Sequence, residues 1–188
     1  MTAIRGLSPL RAGGYGLPAP PRTGSWRIEP GRSSLELRIR ELHRTSRLAA
    51  PVVAGEISMT ASAGTSALAL HFGSPSTERA SAMTSTWAHD VGLDDPDRPL
   101  RYASSHVLAS PYGWRCCGRL GSERSGGHFS ALLVMDARIH AVYTRLDGHD
   151  VMDVTAIGAI RRPWTSRLGE SLLRSRVLVK IRTHFVHD

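Results

Sequence analysis

Lysine is almost missing from this 188-residue chain: Lys180 is the only one among 24 basic residues, and the rest are arginine. Cysteine is scarce as well, with Cys116 and Cys117 alone and adjacent. Neighbouring residues of a strand point to opposite faces, so a structural disulfide between these two is disfavoured and no disulfide framework exists. Without further cysteines at zinc-like spacing, a thiolate metal site lacks ligands. Aromatics make up only 6% of the chain, and no helix-turn-helix, zinc-finger or RNA-recognition signature accompanies them. A sequence-specific nucleic-acid reader therefore has little support. No apolar run approaches the ~18 residues of a membrane-spanning helix. The first 23 residues lack the apolar core of a secretory signal, which leads us to expect a cytoplasmic location.

The motifs of several chemistries are absent too. There is no G-x-S-x-G elbow, no P-loop and no G-x-G-x-x-G between a strand and a helix, so acyl transfer, nucleotide hydrolysis and Rossmann-type redox chemistry lack their geometry. The nine histidines are His43, His71, His89, His106, His128, His140, His149, His184 and His187. They are scattered, with none in an H-E-x-x-H spacing. His184 and His187 near the C-terminus offer two metal ligands without a third and fourth. Asp94, Asp95 and Asp97 cluster beside Pro96, but without the alternating ligand spacing of a calcium loop they read as a solvated turn. We assign no catalytic residue, no metal ligand and no cofactor, and expect a protein that is not an enzyme.

What is present is a globular composition, 41% hydrophobic and 21% charged, in a chain long enough for one domain with a core. Residues 1–23 hold eight Gly and Pro residues, Arg5, Arg11 and Arg22, and no acid. Such a segment cannot bury enough surface to offset its ordering and reads as a flexible basic tail before a domain at 24–188. From Trp26 the pattern acquires period two. Leu35, Leu37 and Ile39 alternate with Glu36, Arg38 and Arg40, which gives a strand with one apolar and one charged face. Similar alternations run through Leu68, Leu70 and Phe72 and through Leu100, Tyr102 and Ser104. Further strands are expected at 114–120, 129–139, 151–160 and 173–185, separated by turn signals at Gly121, Gly126-Gly127 and Asp147-Gly148. One short helix is expected from Ser76 to Ala88, with Glu78 favouring its N-terminus. Many short strands and one or two short helices predict an all-β protein, an antiparallel sandwich or a closed barrel of about eight strands.

The net charge of +8 attracts any anionic partner without choosing among them. In the last strand Arg174, Arg176, Lys180 and Arg182 share the parity opposite to Val177, Val179, Ile181 and Phe185. Arg27, Arg32, Arg38, Arg40, Arg44 and Arg47 add charge near the other end of the chain. A solvated barrel exterior carries such charge without any further role, and charged edges also resist aggregation. The functional reading of this stripe is a face for phosphate-bearing or acidic partners.

Several segments together resemble the polyisoprenoid-binding YceI-like family. Trp26-Arg27-Ile28-Glu29-Pro30 followed by Ser33-Ser34-Leu35-Glu36-Leu37 is similar to the family's opening strand. Leu93-Asp94-Asp95, Pro99-Leu100-Arg101-Tyr102 with Ser104-Ser105, and Gly118-Arg119-Leu120 are similar to its middle segments. Asp147-Gly148, Val154-Thr155-Ala156 and Arg162-Pro163-Trp164 are similar to its final hairpin, penultimate strand and last turn. The order and spacing cover most of residues 25–186. Residues 74–90 and 121–128 depart from the family pattern, around the crossover and the barrel mouth. The resemblance implies a lipocalin-like barrel that holds a long isoprenoid chain in its lumen. Parity then nominates Leu35, Leu37, Ile39, Leu68, Leu70, Phe72, Tyr102, Val177, Val179 and Ile181 as lumen residues. Arg161, Arg162 and Arg167, flanking Trp164, become candidate mouth or anion-binding residues. The expected function is non-enzymatic carriage of an isoprenoid, quinone-like or other long apolar lipid, with that polyprenyl or quinone-like lipid as the bound molecule. Homodimerisation is left open. The alternative is an interaction module with a solid core, whose arginine-rich outer face binds an acidic partner or nucleic acid.

Overall fold

The computed structural model describes residues 21–40, 45–60, 67–76, 81–90, 99–110, 113–124, 127–161 and 176–188. Nine strands form one antiparallel sheet: β1 (Gly24–Ile28), β2 (Ser34–Arg40), β3 (Thr45–Met59), β4 (Ala67–Phe72), β5 (Leu100–Ser110), β6 (Gly113–Arg124), β7 (Gly127–Thr144), β8 (Asp150–Arg161) and β9 (Arg176–His187). Neighbours run β3-β2-β9-β8-β7-β6-β5-β4, and β4 pairs back onto β3 to close the ring. The expected all-β barrel of eight strands is therefore the architecture, with almost no helix.

Nine strands fit eight positions because β1 and β2 share one. Both run between β9 and β3, with Trp26 opposite Ile57 and His187, and Leu35 opposite Ala50 and Ile181. Between them the 3-10 turn Pro30–Arg32 loops out of the sheet. Proline lacks the N–H that a ladder needs, so an interruption falls there. Ser33 closes the gap: its Oγ donates to the Glu29 carbonyl at 3.2 Å and accepts from the His184 N–H at 3.0 Å.

Three strands carry bulges, which bend a strand to follow a barrel. Register shifts fall at Val52/Ala54 in β3, Ser104/His106 in β5 and Ile139/Ala141 in β7. Each shift flips the inward parity. In β3 the buried positions run Ser46, Leu48, Ala50 and Val52, then Ile57 and Met59, while Val53 stands exposed. In β5 they run Leu100 and Tyr102, then Val107.

Helix α1 (Ala82–Asp90) starts later than expected. Ser81, not Ser76, is its cap, its Oγ accepting from the Thr84 N–H at 3.0 Å. Ser76 instead bridges to Ala49, its N–H donating to the Ala49 carbonyl at 2.8 Å. The Ser81 N–H donates to Ser46 Oγ, and Ala88 is fully buried in the core. Gly121 is not a turn: it lies within β6, opposite Arg101 and Ser130. The Asp147-Gly148 turn is present, with Gly148 at φ +86, a left-handed value that glycine adopts without penalty.

Candidate ligand-binding lumen

The interior is built from alternate residues of each strand, the inward parity changing at the bulges of β3, β5 and β7. The ten residues nominated for a lumen are all buried in one core cluster, none more than 8% exposed: Leu35, Leu37 and Ile39 from β2, Leu68, Leu70 and Phe72 from β4, Tyr102 from β5, and Val177, Val179 and Ile181 from β9. Trp26, Leu48, Leu120, Leu133, Met135, Met152 and Phe185 join them in one cluster. Each large side chain removed from water contributes roughly 1.5–3 kcal/mol. An eight-stranded barrel is wide enough for such side chains to fill it or to hold one small ligand.

Besides the buried Ser46, Ser122 and Thr183, a phenol and a thiol lie in this apolar interior. Tyr102 sits between Leu70 on β4 and Leu120 on β6, and its buried hydroxyl has no hydrogen-bond partner among the described residues. Burial pushes that hydroxyl far above its ordinary pKa, with the Cys116 and Cys117 thiols adding to the effect. Cys116 also faces inward, and burial pushes its thiol up to about 12. Cys117 lies on the opposite face, half-buried, and both cysteines are free. At neutral pH the interior thus offers a phenol and a thiol, each uncharged.

The mouth residues are only partly placed. Arg162 and Arg167 lie outside the described residues, and of Arg161 the structure describes the backbone, opposite Arg176 at the ends of β8 and β9. That end of the barrel is the one α1 packs against. A belt of pairings runs from Ser46 to Ile39, Val177 and Ile160, and Ser46 holds the start of the helix.

The expected cationic stripe is broken. Arg174 lies outside the described residues, as does Arg44, and Arg182 is exposed, but Leu178, opposite Ala159, interrupts the cations of β9 at 51% exposure. Glu36 lies opposite Lys180 and accepts from Arg38 Nε at 2.7 Å and Nη2 at 3.2 Å, with Arg47 Nε at 3.8 Å. The Arg38 hydrogen bond leads the causes that hold the Glu36 carboxyl below its usual range. Arg27 pairs with Asp188 and Arg115 with Asp136. Much of the described arginine charge is locally answered.

A polar cluster on the outer wall escaped the sequence reading. His184 faces outward on β9 yet is almost fully buried, because the 3-10 turn folds over it. Its Nε2 lies 3.0 Å from Arg145 Nη2, 3.2 Å from Arg32 Nη1 and 3.3 Å from Glu29 Oε2, and its Nδ1 is hydrogen-bonded with Asp153. Glu29 accepts from Arg145, a hydrogen bond that leads the causes lowering its pKa. Through these contacts the cluster clasps the interrupted strand to the β7–β8 hairpin. His187 does not join His184: it packs edge-on against Trp26 at 4.8 Å. The signals for this cluster were the outward parity of His184 and its place opposite Asp153, but the Glu29 and Arg145 partners come from distant segments. Among the described residues no helix is long and apolar enough to cross a membrane. No protein-family model matches this chain, and no curated protein matches it either.

Proposed function

We propose that this chain is a divergent YceI-like protein, a non-enzymatic carrier acting in the cytoplasm, that holds one long apolar molecule of the isoprenoid or quinone-like class in its barrel lumen. The reading is carried by one observation: ten side chains nominated from alternation in four separate strands converge on a single apolar interior closed by an eight-position ring. Burial of ligand surface at about 25 cal/mol per Å² supplies the affinity for such a molecule, and the protein need add only shape and a little polarity. The ion pairs and the Leu178 interruption weigh against the outer arginine face as the principal binding surface.

Native mass spectrometry of protein purified without detergent tests the reading. The expected result is an adduct of a few hundred daltons, or uptake of an added polyprenyl lipid. A clean mass before and after incubation overturns it and assigns the interior to the protein's own side chains.

A further inference from the structure

The Tyr102 hydroxyl is the only buried side-chain polar atom of the described residues without a hydrogen-bond partner. Leaving such a group unsatisfied costs roughly 1–3 kcal/mol, and folded proteins hold few of them. A phenylalanine would fill the same space without that cost. The position is no accident of a loose surface, since Tyr102 is 1% exposed and lies between Leu70 at 1% and Leu120 at 0%.

We propose that Tyr102 is the polar contact of the lumen, and that the molecule bound there is a long apolar compound carrying a neutral oxygen acceptor, a carbonyl or hydroxyl, against that phenol. The inference rests on the lumen reading and narrows it. A phenol that stays protonated donates one hydrogen bond, so its natural partner is an acceptor. Among the described residues, the surroundings disfavour charge. The buried polar and charged residues of the described chain are Ser33, Ser46, Ser81, Thr84, Ser122, Thr183 and His184, and the one titratable member, His184, faces outward into its own arginine and carboxylate partners. No described cation reaches the interior to pair with a carboxylate or phosphate, and a buried anion without one is strongly disfavoured. Cys116, the neighbouring inward thiol, is a weak donor of the same neutral kind. A pure hydrocarbon, in turn, leaves the phenol as unsatisfied as it is now.

The test uses two probes of equal length, a C20 polyprenyl ketone and the matching C20 polyprenyl hydrocarbon, against the full chain and Tyr102→Phe. Quenching of tryptophan fluorescence reports binding, since Trp26 and Trp114 lie in the same core. The full chain is expected to prefer the ketone roughly three- to tenfold, the worth of one net hydrogen bond. Tyr102→Phe loses the preference and binds the two probes with equal affinity. As a readout independent of the variant's folding, the carbonyl stretch of the bound ketone shifts to lower frequency in the full chain, as a hydrogen-bonded carbonyl does. Equal affinity for both probes with an unshifted carbonyl overturns the role of Tyr102 while leaving a lumen that binds; the hydroxyl is then met by water. Failure of both probes to bind overturns the lumen reading itself, and this inference with it.

Discussion

Cys116 shows how an interior sets the chemistry of one residue. Its thiol ionises near 9.0 in an ordinary setting and only at about 12 in the fold, chiefly because burial penalises the thiolate. As pH rises through 9 the unfolded chain releases this proton first, so the folded state binds more protons and stability falls with pH up to about 12. Cys116→Ala should flatten that alkaline limb by about 1–2 kcal/mol at pH 10.5, read from urea midpoints between pH 8 and 10.5. Identical slopes in both proteins would mean that the thiol is solvated. A disulfide-exchange reagent at pH 8 should label Cys117 and spare Cys116, because the thiolate is the nucleophile. The inward residues of this kind were legible, since alternation alone places Leu35, Leu37, Val177 and Val179 on one face. The missing partner of Tyr102 was not legible, because it depends on what the other strands bring within hydrogen-bond reach.

Element boundaries were readable where a strand keeps one parity throughout, as β2 and β4 do. Thr45–Met59, a 15-residue strand, went unassigned because its apolar positions change parity at the Val52/Ala54 bulge, so no single alternation spans it. Gly121 misled for a related reason: glycine signals a turn, yet in a tightly curved barrel it also marks close backbone approach. Gly118, on the same strand, shows the constraint directly. A Cβ there falls 2.2 Å from the Ala103 carbonyl oxygen, beside the β5 bulge. Gly118→Ala must push β5 away from β6 and should cost about 1–3 kcal/mol, measured by chemical denaturation; wild-type stability in this variant would show that the two strands separate freely. Helix α1 depends on its cap in the ordinary way, so Ser81→Ala should cost about 1 kcal/mol. The helix was expected five residues early because Ser76 and Glu78 imitate a cap, while Ser76 is spent on its bridge to Ala49.

At the scale of the molecule, a closed sheet has no free edge, so every position is held from both sides and the weakest one governs opening. The weakest candidate is the position that β1 and β2 share, where Pro30–Arg32 leaves the ladder and Glu29, Arg32, Arg145, Asp153 and His184 clasp the gap. Glu36 fastens the outer face of the same position through Arg38 and Arg47. Both glutamates are held below the usual carboxylate range, Glu29 chiefly by its hydrogen bond from Arg145 and Glu36 by that from Arg38. A carboxyl whose pKa is depressed by folding adds stability that is fully present above its unfolded value of 4.5 and is lost as pH falls through the lower folded value. Acid should therefore weaken this seam, and in a ring without independent parts the loss appears as a lower midpoint of the whole unfolding transition. The double substitution Glu29→Gln and Glu36→Gln should start less stable at pH 7 and fall less steeply between pH 5 and 3, by urea denaturation followed on the buried tryptophans. Parallel curves for the two proteins would place the acid-sensitive seam elsewhere in the barrel.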